Sequence, residues 1–124
     1  MPDHFWRDDI IQPALNHDVE IAVAEQQAIL AKDPHNARAH FAMGTLCHFQ
    51  GQTDQAIQHF EKAIQVDPSY AAPHVSLGQI YAERGDYARA WQHARTAEAL
   101  GVRDLVEMLS RYPNLRTDGA MEKS

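Results

Sequence analysis

Hydrophobic residues recur along most of the chain with the spacing of one side of an α-helix. The clearest example lies between residues 18 and 32, where the inward positions return every three or four residues, close to the period of about 3.6 residues per helical turn. Asp18 can cap this predicted helix, and Asp33-Pro34 ends it because a residue before proline avoids helical geometry. The inward positions are Val19, Ala22, Val23, Gln26, Ile29 and Leu30.

Similar patterns predict four further helices and a short one after them. Gly51 and Gly85 indicate the turns inside two helix pairs, and Thr53 or Asp54 is expected to cap the helix after the first turn. A helix that is apolar on nearly all sides, as the one starting at residue 37 is, must be buried between neighbours. The predicted helices span about residues 37–50, 53–66, 69–84, 87–100 and 104–112.

One sequence pattern occurs twice along these helices, with its two copies 34 residues apart. Gly44 returns as Gly78, and since glycine costs about 1 kcal/mol of helix propensity relative to alanine, both are predicted to be sites of close helix approach, with Gly44 opposite Ala56. A fixed period of this length indicates stacked helical repeats. The other matched pairs are Gly51 and Gly85, Ala56 and Ala90, Ala63 and Ala97, His40 and His74, and His59 and His93.

The unit resembles the tetratricopeptide repeat, which carries a large residue, Leu-Gly and an aromatic on its first helix, and Ala, Phe and Ala on its second. The resemblance covers about residues 18–101 and implies an all-α fold, with antiparallel helix pairs stacked into a right-handed solenoid. The matching residues of the first copy are His40, Met43-Gly44, Cys47, Ala56, Phe60, Ala63 and Pro68. Those of the second are His74, Leu77-Gly78, Tyr81, Ala90, Ala94 and Ala97, with Val102 where proline is expected.

We expect one domain over residues 1–113 and a flexible polar tail over residues 114–124. Within the domain, Trp6 stands one repeat step before His40, but Pro13 stands where the aromatic residue is expected. Because proline disrupts a helix interior, a short helix is predicted from about Asp3 to Gln12, ended by Pro13. Its apolar residues either cap the stack or form a loosely docked arm; they are Phe5, Trp6, Ile10 and Ile11. The predicted parts are a degenerate repeat 3–36, repeats 37–70 and 71–104, and a capping helix 104–112.

Charge and composition narrow the possible partners and location. The net charge of −6 and the isoelectric point near 5.7 argue against binding to nucleic acid or to an anionic membrane. No apolar run approaches the roughly 18 residues of a membrane span, and the first residues do not have the pattern of a signal peptide. A single cysteine cannot form an internal disulfide, which fits a reducing compartment. We therefore expect a cytoplasmic protein without membrane insertion.

Histidine and cysteine are the residues with possible chemistry. Two of the matched pairs, His40 with His74 and His59 with His93, are separated by a stacking step of about 9–10 Å, too far for one metal ion. His40 and His59 can lie nearer to each other, but no third ligand is evident. Cys47 occupies an inward position, where it behaves as a small hydrophobe. We expect structural histidines, no cofactor and no enzyme activity.

The resemblance implies a concave groove lined by the first helix of each repeat. Two phenylalanines and a valine with few charges suit an extended or helical peptide of a partner protein; alternatively, Phe41 and Phe49 belong to the core. Positions that clamp peptide carboxylates in some co-chaperones do not hold Lys, Asn and Arg here, which argues against that role; they hold Phe41, Thr45, Val75 and Gln79. The predicted groove residues are Arg38, Phe41, Thr45, His48, Phe49, Val75, Gln79 and Glu83, with Ala72 and Ala82 beside them.

The predicted function is that of a non-enzymatic adaptor that binds a protein segment in this groove. Two alternatives stay open. In the first, an end of the stack or the groove binds a second copy, so that the chain forms a homo-oligomer. In the second, which is less favoured, the histidines bind a metal ion.

Overall fold

The computed structural model describes residues 12–111, with side chains described from residue 17 onward. This part of the chain contains six helices and no strand, which confirms the all-α class. The helices are α1 (Gln12–Lys32), α2 (Ala37–Phe49), α3 (Thr53–Val66), α4 (Ala71–Glu83), α5 (Tyr87–Ala99) and α6 (Asp104–Ser110).

The helices pack as neighbours in chain order, with α2 against α3 and α4 against α5 forming two close pairs. The turn inside each pair contains a glycine with a positive φ angle, 82° at Gly51 and 81° at Gly85, a conformation that glycine adopts without steric cost. Contacts between α3 and α4 join the two pairs, α1 precedes them against α2, and α6 follows against α5. The result is the predicted solenoid of stacked helix pairs.

Side-chain caps fix two of the helix starts. The Asn36 side chain accepts a hydrogen bond from the Ala39 amide at 3.0 Å before α2, and Asp86 accepts one from the Arg89 amide at 3.2 Å before α5. The prediction that Thr53 or Asp54 caps α3 is wrong, because the residue at that position is Gln52 and its side chain forms no capping bond.

Two buried clusters form the core of the described residues. The first lies between the helix pairs, and the second closes the last pair with side chains from α6. Small alanines contribute to both clusters and let the helices approach closely. The first cluster consists of Cys47, Ala56, Phe60, Leu77 and Ile80. The second consists of Ala90, Trp91, Ala94, Leu105 and Leu109.

Each helical glycine faces one large side chain. A Cβ atom at Gly44 would lie 2.6 Å from two ring carbons of Phe60, so the close neighbour of Gly44 is Phe60 rather than the predicted Ala56. At Gly78 the added atom would meet the side chain of Leu105. The second repeat has Ala94 where the first has Phe60, and Leu105 of α6 occupies the space beside its glycine instead.

The first helix differs from its prediction. α1 begins at Gln12 and includes Pro13, so the predictions that Pro13 ends a helix and that Asp18 caps the next one are both wrong. Pro13 lies in the opening turn, where its missing amide hydrogen is not needed. Residue 17, which is one repeat step before Gly51, is His17 and is helical, so α1 continues through the position where each later helix pair has its turn glycine.

Some predictions concern residues outside the described part of the chain. These are the start of the helix expected from Asp3, the apolar residues Phe5, Trp6, Ile10 and Ile11, residue 112 of the capping helix, and the tail 114–124. The division of the chain into a degenerate repeat 3–36 and repeats 37–70 and 71–104 stays a prediction.

Candidate partner-binding groove

The predicted groove residues come from α2 and α4, and they differ in exposure. Four polar positions are exposed: Arg38, Thr45, Gln79 and Glu83. Three positions are half-buried: Phe41, His48 and Val75. Phe49, at the last position of α2, is 58% exposed.

The two phenylalanines are in different environments. The ring centroid of Phe41 lies 5.6 Å from that of Phe60 in α3 and 5.5 Å from that of Tyr70, which immediately precedes α4. Phe41 therefore packs in the seam between the two helix pairs. Phe49 is instead the most exposed of the large hydrophobic residues in the described part of the chain.

One polar contact joins the last turns of α2 and α4. His48 Nε2 lies 3.6 Å from a carboxylate oxygen of Glu83, and the two form an ion pair only when His48 is protonated. Both side chains are substantially exposed, so the contact contributes little to stability and either group can turn to a ligand. A neighbouring ion pair, Arg84 with Asp54 at 2.6 Å, joins the residue after α4 to α3.

A cavity of about 480 Å³ opens beside this contact, lined by Gln79, Ala82, Glu83 and Met108. The sequence pattern predicted three of these residues: Gln79 and Glu83 as groove residues, and Ala82 beside them. The sequence did not predict Met108 as a lining residue, because its periodicity indicated only a capping helix. How α6 is rotated against α4 cannot be read from the local sequence. The cavity combines apolar walls with one amide and one carboxylate, a lining that suits an apolar side chain next to a polar group.

Comparison with known proteins agrees with the pattern of helix pairs. The family model described as TPR repeat matches residues 44–85, and the model described as Tetratricopeptide repeat matches residues 26–58. The chain belongs to the tetratricopeptide repeat family. Repeats of this family generally mediate protein–protein interactions, and stacked repeats present extended concave binding surfaces.

The relatives are longer proteins, and each matches this chain over a small part of its own length. The probable biofilm formation methyltransferase WspC of Pseudomonas putida is 32% identical over 71 residues, which are 57% of this chain and 17% of that protein. The probable UDP-N-acetylglucosamine–peptide N-acetylglucosaminyltransferase SPINDLY of Arabidopsis thaliana is 38% identical over 81 residues, 63% of this chain and 9% of that protein. This tetratricopeptide repeat chain thus spans less than a fifth of the length of either relative.

A solved structure shares the fold. The crystal structure of MamA superposes with a TM-score of 0.63 at 22% sequence identity, covering 79% of this chain and 54% of that chain. Among the described residues of this tetratricopeptide repeat protein, no helix is long and apolar enough to cross a membrane.

Histidines face each other inside each tetratricopeptide repeat. The rings of His40 and His59 are stacked with centroids 6.2 Å apart, and the rings of His74 and His93 are 5.5 Å apart. The two Nδ1 atoms of the second pair lie 3.2 Å apart, so one of them donates a hydrogen bond and the other accepts it. In the described part of the chain, no group of three or more His, Cys, Asp or Glu residues is placed to hold a metal ion.

Burial favours the uncharged form of both histidines in the second pair. Desolvation lowers the pKa of His93 to about 4, and the nearby His74 adds to the effect. Burial also lowers the pKa of His74, while the carbonyl of Pro68 acts in the opposite direction. His74 Nε2 forms no hydrogen bond with a described residue. Burial is therefore the larger effect, and the pKa of His74 is lowered. The ring of Tyr81 stacks on His93 at 5.8 Å and covers it further.

Acid is expected to destabilise the protein through this pair. The folded pKa of His93 lies below the ordinary value of 6.5, so the unfolded chain binds protons that the folded chain resists. The stability of the neutral pair is therefore fully present above about pH 6.5 and is lost as the pH falls toward about 4. Melting temperatures across this range should fall less steeply for His93→Phe than for the wild type. His48→Phe is the control, and equal acid slopes for His93→Phe and the wild type would contradict the assignment.

The single cysteine does not have the environment of a nucleophile. Cys47 is 4% exposed in the first core cluster, and burial raises the pKa of its thiol. Reactive cysteines have lowered pKa values and partial exposure. Cys47 therefore acts in packing.

Proposed function

We propose that this chain is a non-enzymatic adaptor that binds a segment of a partner protein in the groove formed by α2 and α4. The observation that supports it best is Phe49, a large aromatic side chain that is 58% exposed at the end of a groove helix. Large aromatic residues are frequent binding hot spots at protein interfaces. The compartment that fits this role and the single cysteine is the cytoplasm.

The groove also indicates what the partner segment carries. The cavity next to Ala82 and Met108 suits one apolar side chain, and Glu83 at its edge suits a lysine or arginine. Thr45 and Gln79 are exposed along the same helices and can bond to the backbone of an extended peptide. A basic, partly apolar peptide also matches the net charge of −6, whereas nucleic acid does not.

Substitution of the two phenylalanines tests this proposal. Phe49→Ala should weaken peptide binding by about 2 kcal/mol, roughly thirtyfold, and leave the melting temperature unchanged because the ring is exposed. Phe41→Ala should lower stability by about 2 kcal/mol or more, since its ring packs on two others. The measurement selects peptides from a random-peptide phage library on the wild type and then titrates them against each variant.

Gln58→Ala, on the exposed side of α3, is the control and should bind as the wild type does. Failure to select any peptide would contradict an adaptor with a peptide groove. Selected peptides that bind Phe49→Ala as tightly as the wild type would place the binding surface elsewhere. Peptides without a basic residue, or indifferent to Glu83→Lys, would refute only the chemistry assigned to the partner.

Self-assembly is the second candidate function, and one observation favours it. Two isoleucines of α1 are exposed, Ile21 at 46% and Ile29 at 40%, so this end of the stack carries apolar surface that a second copy could cover. Light scattering over a range of concentrations separates the two candidates.

A further inference from the structure

The structure brings two histidines of the second repeat to the spacing of metal ligands. The Nδ1 atoms of His74 and His93 lie 3.2 Å apart. Zinc binds imidazole nitrogen at about 2.0–2.1 Å, so two nitrogens on one tetrahedral ion are about 3.3–3.4 Å apart. The sequence predicted structural histidines because residues that match across repeats are too far apart for one ion. Histidines within one repeat meet that distance instead.

The first pair shows how the fold orients the histidine of a first helix. His40 Nε2 lies 2.8 Å from the carbonyl oxygen of Pro34, and because a carbonyl only accepts, Nε2 carries the proton. Pro68 stands one repeat step after Pro34, and its carbonyl acts on the pKa of His74 in the direction of such a contact. It favours the same tautomer of His74, which leaves Nδ1 with a lone pair toward His93. Metal-binding histidines commonly direct their other ring nitrogen to a backbone carbonyl in this way.

A cavity of about 420 Å³ opens beside the second pair, between α3, α4 and α5. It has room for water on a bound ion, and the Glu61 carboxylate on its wall can accept hydrogen bonds from that water. Burial lowers the pKa of both histidines and so favours the neutral imidazole, which is the form that binds metal. The cavity is lined by Glu61, Ile64, Gln65, His74, Leu77 and His93.

We propose that His74 and His93 bind one zinc ion through their Nδ1 atoms, with water in its remaining positions. Zinc is among the ions that imidazole suits. In the described part of the chain no group of three or more His, Cys, Asp or Glu residues is placed to hold a metal ion, so the protein supplies two ligands. Structural and catalytic zinc sites have three or four, and we therefore expect micromolar, exchangeable binding.

Zinc takes the place of the hydrogen bond between the two rings. His93 Nδ1 loses the proton that it shares with His74, and His93 Nε2 gains one from water, so both rings stay neutral. The ion then links α4 to α5, which carry the two ligands. The site shares no residue with the groove and does not depend on the proposed adaptor function.

Thermal melting with zinc chloride as the probe tests the site. The protein, purified without an affinity tag and treated with a chelator, should melt several degrees higher in saturating zinc than in magnesium, because zinc binds the folded state. Titration calorimetry should give one ion per chain. His93→Phe keeps a ring beside Tyr81 and should lose the zinc-dependent shift. His59→Phe, the same change one repeat earlier, is the control and should keep it.

Each variant is compared with itself with and without zinc, so a lower starting stability does not hide the result. In the unsubstituted protein, nitrogen NMR spectra of the histidine rings should place zinc on two Nδ1 atoms, which tests the site without any variant. An unchanged melting curve in zinc up to about 1 mM, well above the range expected for two ligands, would overturn the site. A zinc shift that survives His93→Phe, or that His59→Phe also abolishes, would overturn its assignment to the second pair.

Discussion

Replacing Phe60 with alanine is expected to lower the free energy of unfolding by about 3–5 kcal/mol. The Phe60 ring is 1% exposed in the cluster between the two helix pairs. It packs against the backbone of Gly44 and against the ring of Phe41. Since these neighbours belong to a helix held on several sides, they cannot collapse into the space that the ring leaves.

Chemical denaturation of the two proteins measures this loss. Phe49→Ala is the matched control, because it deletes the same side chain from a position that is 58% exposed, and it should change the free energy of unfolding little. If Phe60→Ala and Phe49→Ala had similar free energies of unfolding, the cluster between the helix pairs would not be the main contributor to stability.

Gly78→Leu is expected to destabilise the protein by about 1–3 kcal/mol or more, because it overpacks the last helix pair. A Cβ atom at this position already overlaps the side chain of Leu105, and it would lie 3.4 Å from the carbonyl oxygen of Ala90. Leu105 is 1% exposed in the second core cluster, so a leucine at position 78 has to displace a packed side chain. Gln79→Leu, at the next and exposed position of α4, is the control that inserts the same side chain where there is room.

The double variant Gly78→Leu with Leu105→Ala identifies the cause of this effect. If the two side chains compete for one space, the melting temperature of the double variant should be higher than the sum of the single changes predicts, since contacting residues are not additive. Strict additivity would mean that Leu105 is not the group displaced. A melting temperature of Gly78→Leu equal to that of the wild type would show that Gly78 is not a close-approach site.

The sequence by itself determined the helices, their order and their pairing. Helix periodicity, the turn glycines Gly51 and Gly85, and the proline stops are local signals, and the period of 34 residues repeats them. These local signals are sufficient to locate each helix pair, because each repeat contacts mainly the repeats next to it in the chain. The proline signal was misleading at Pro13, because proline is found both after the end of a helix and in the opening turn of one. The structure shows that Pro13 lies in an opening turn.

Only the tertiary structure decided which side chains meet across helices that are distant in sequence. It showed that Phe41 packs on Phe60 and Tyr70, whereas Phe49 is exposed. The sequence pattern had predicted both residues for the same groove. It also paired the histidines within each repeat, and it placed Leu105 beside Gly78. These contacts depend on the rotation and crossing angle of whole helices. Packing of all neighbours together sets those angles, and no stretch of the sequence encodes them alone.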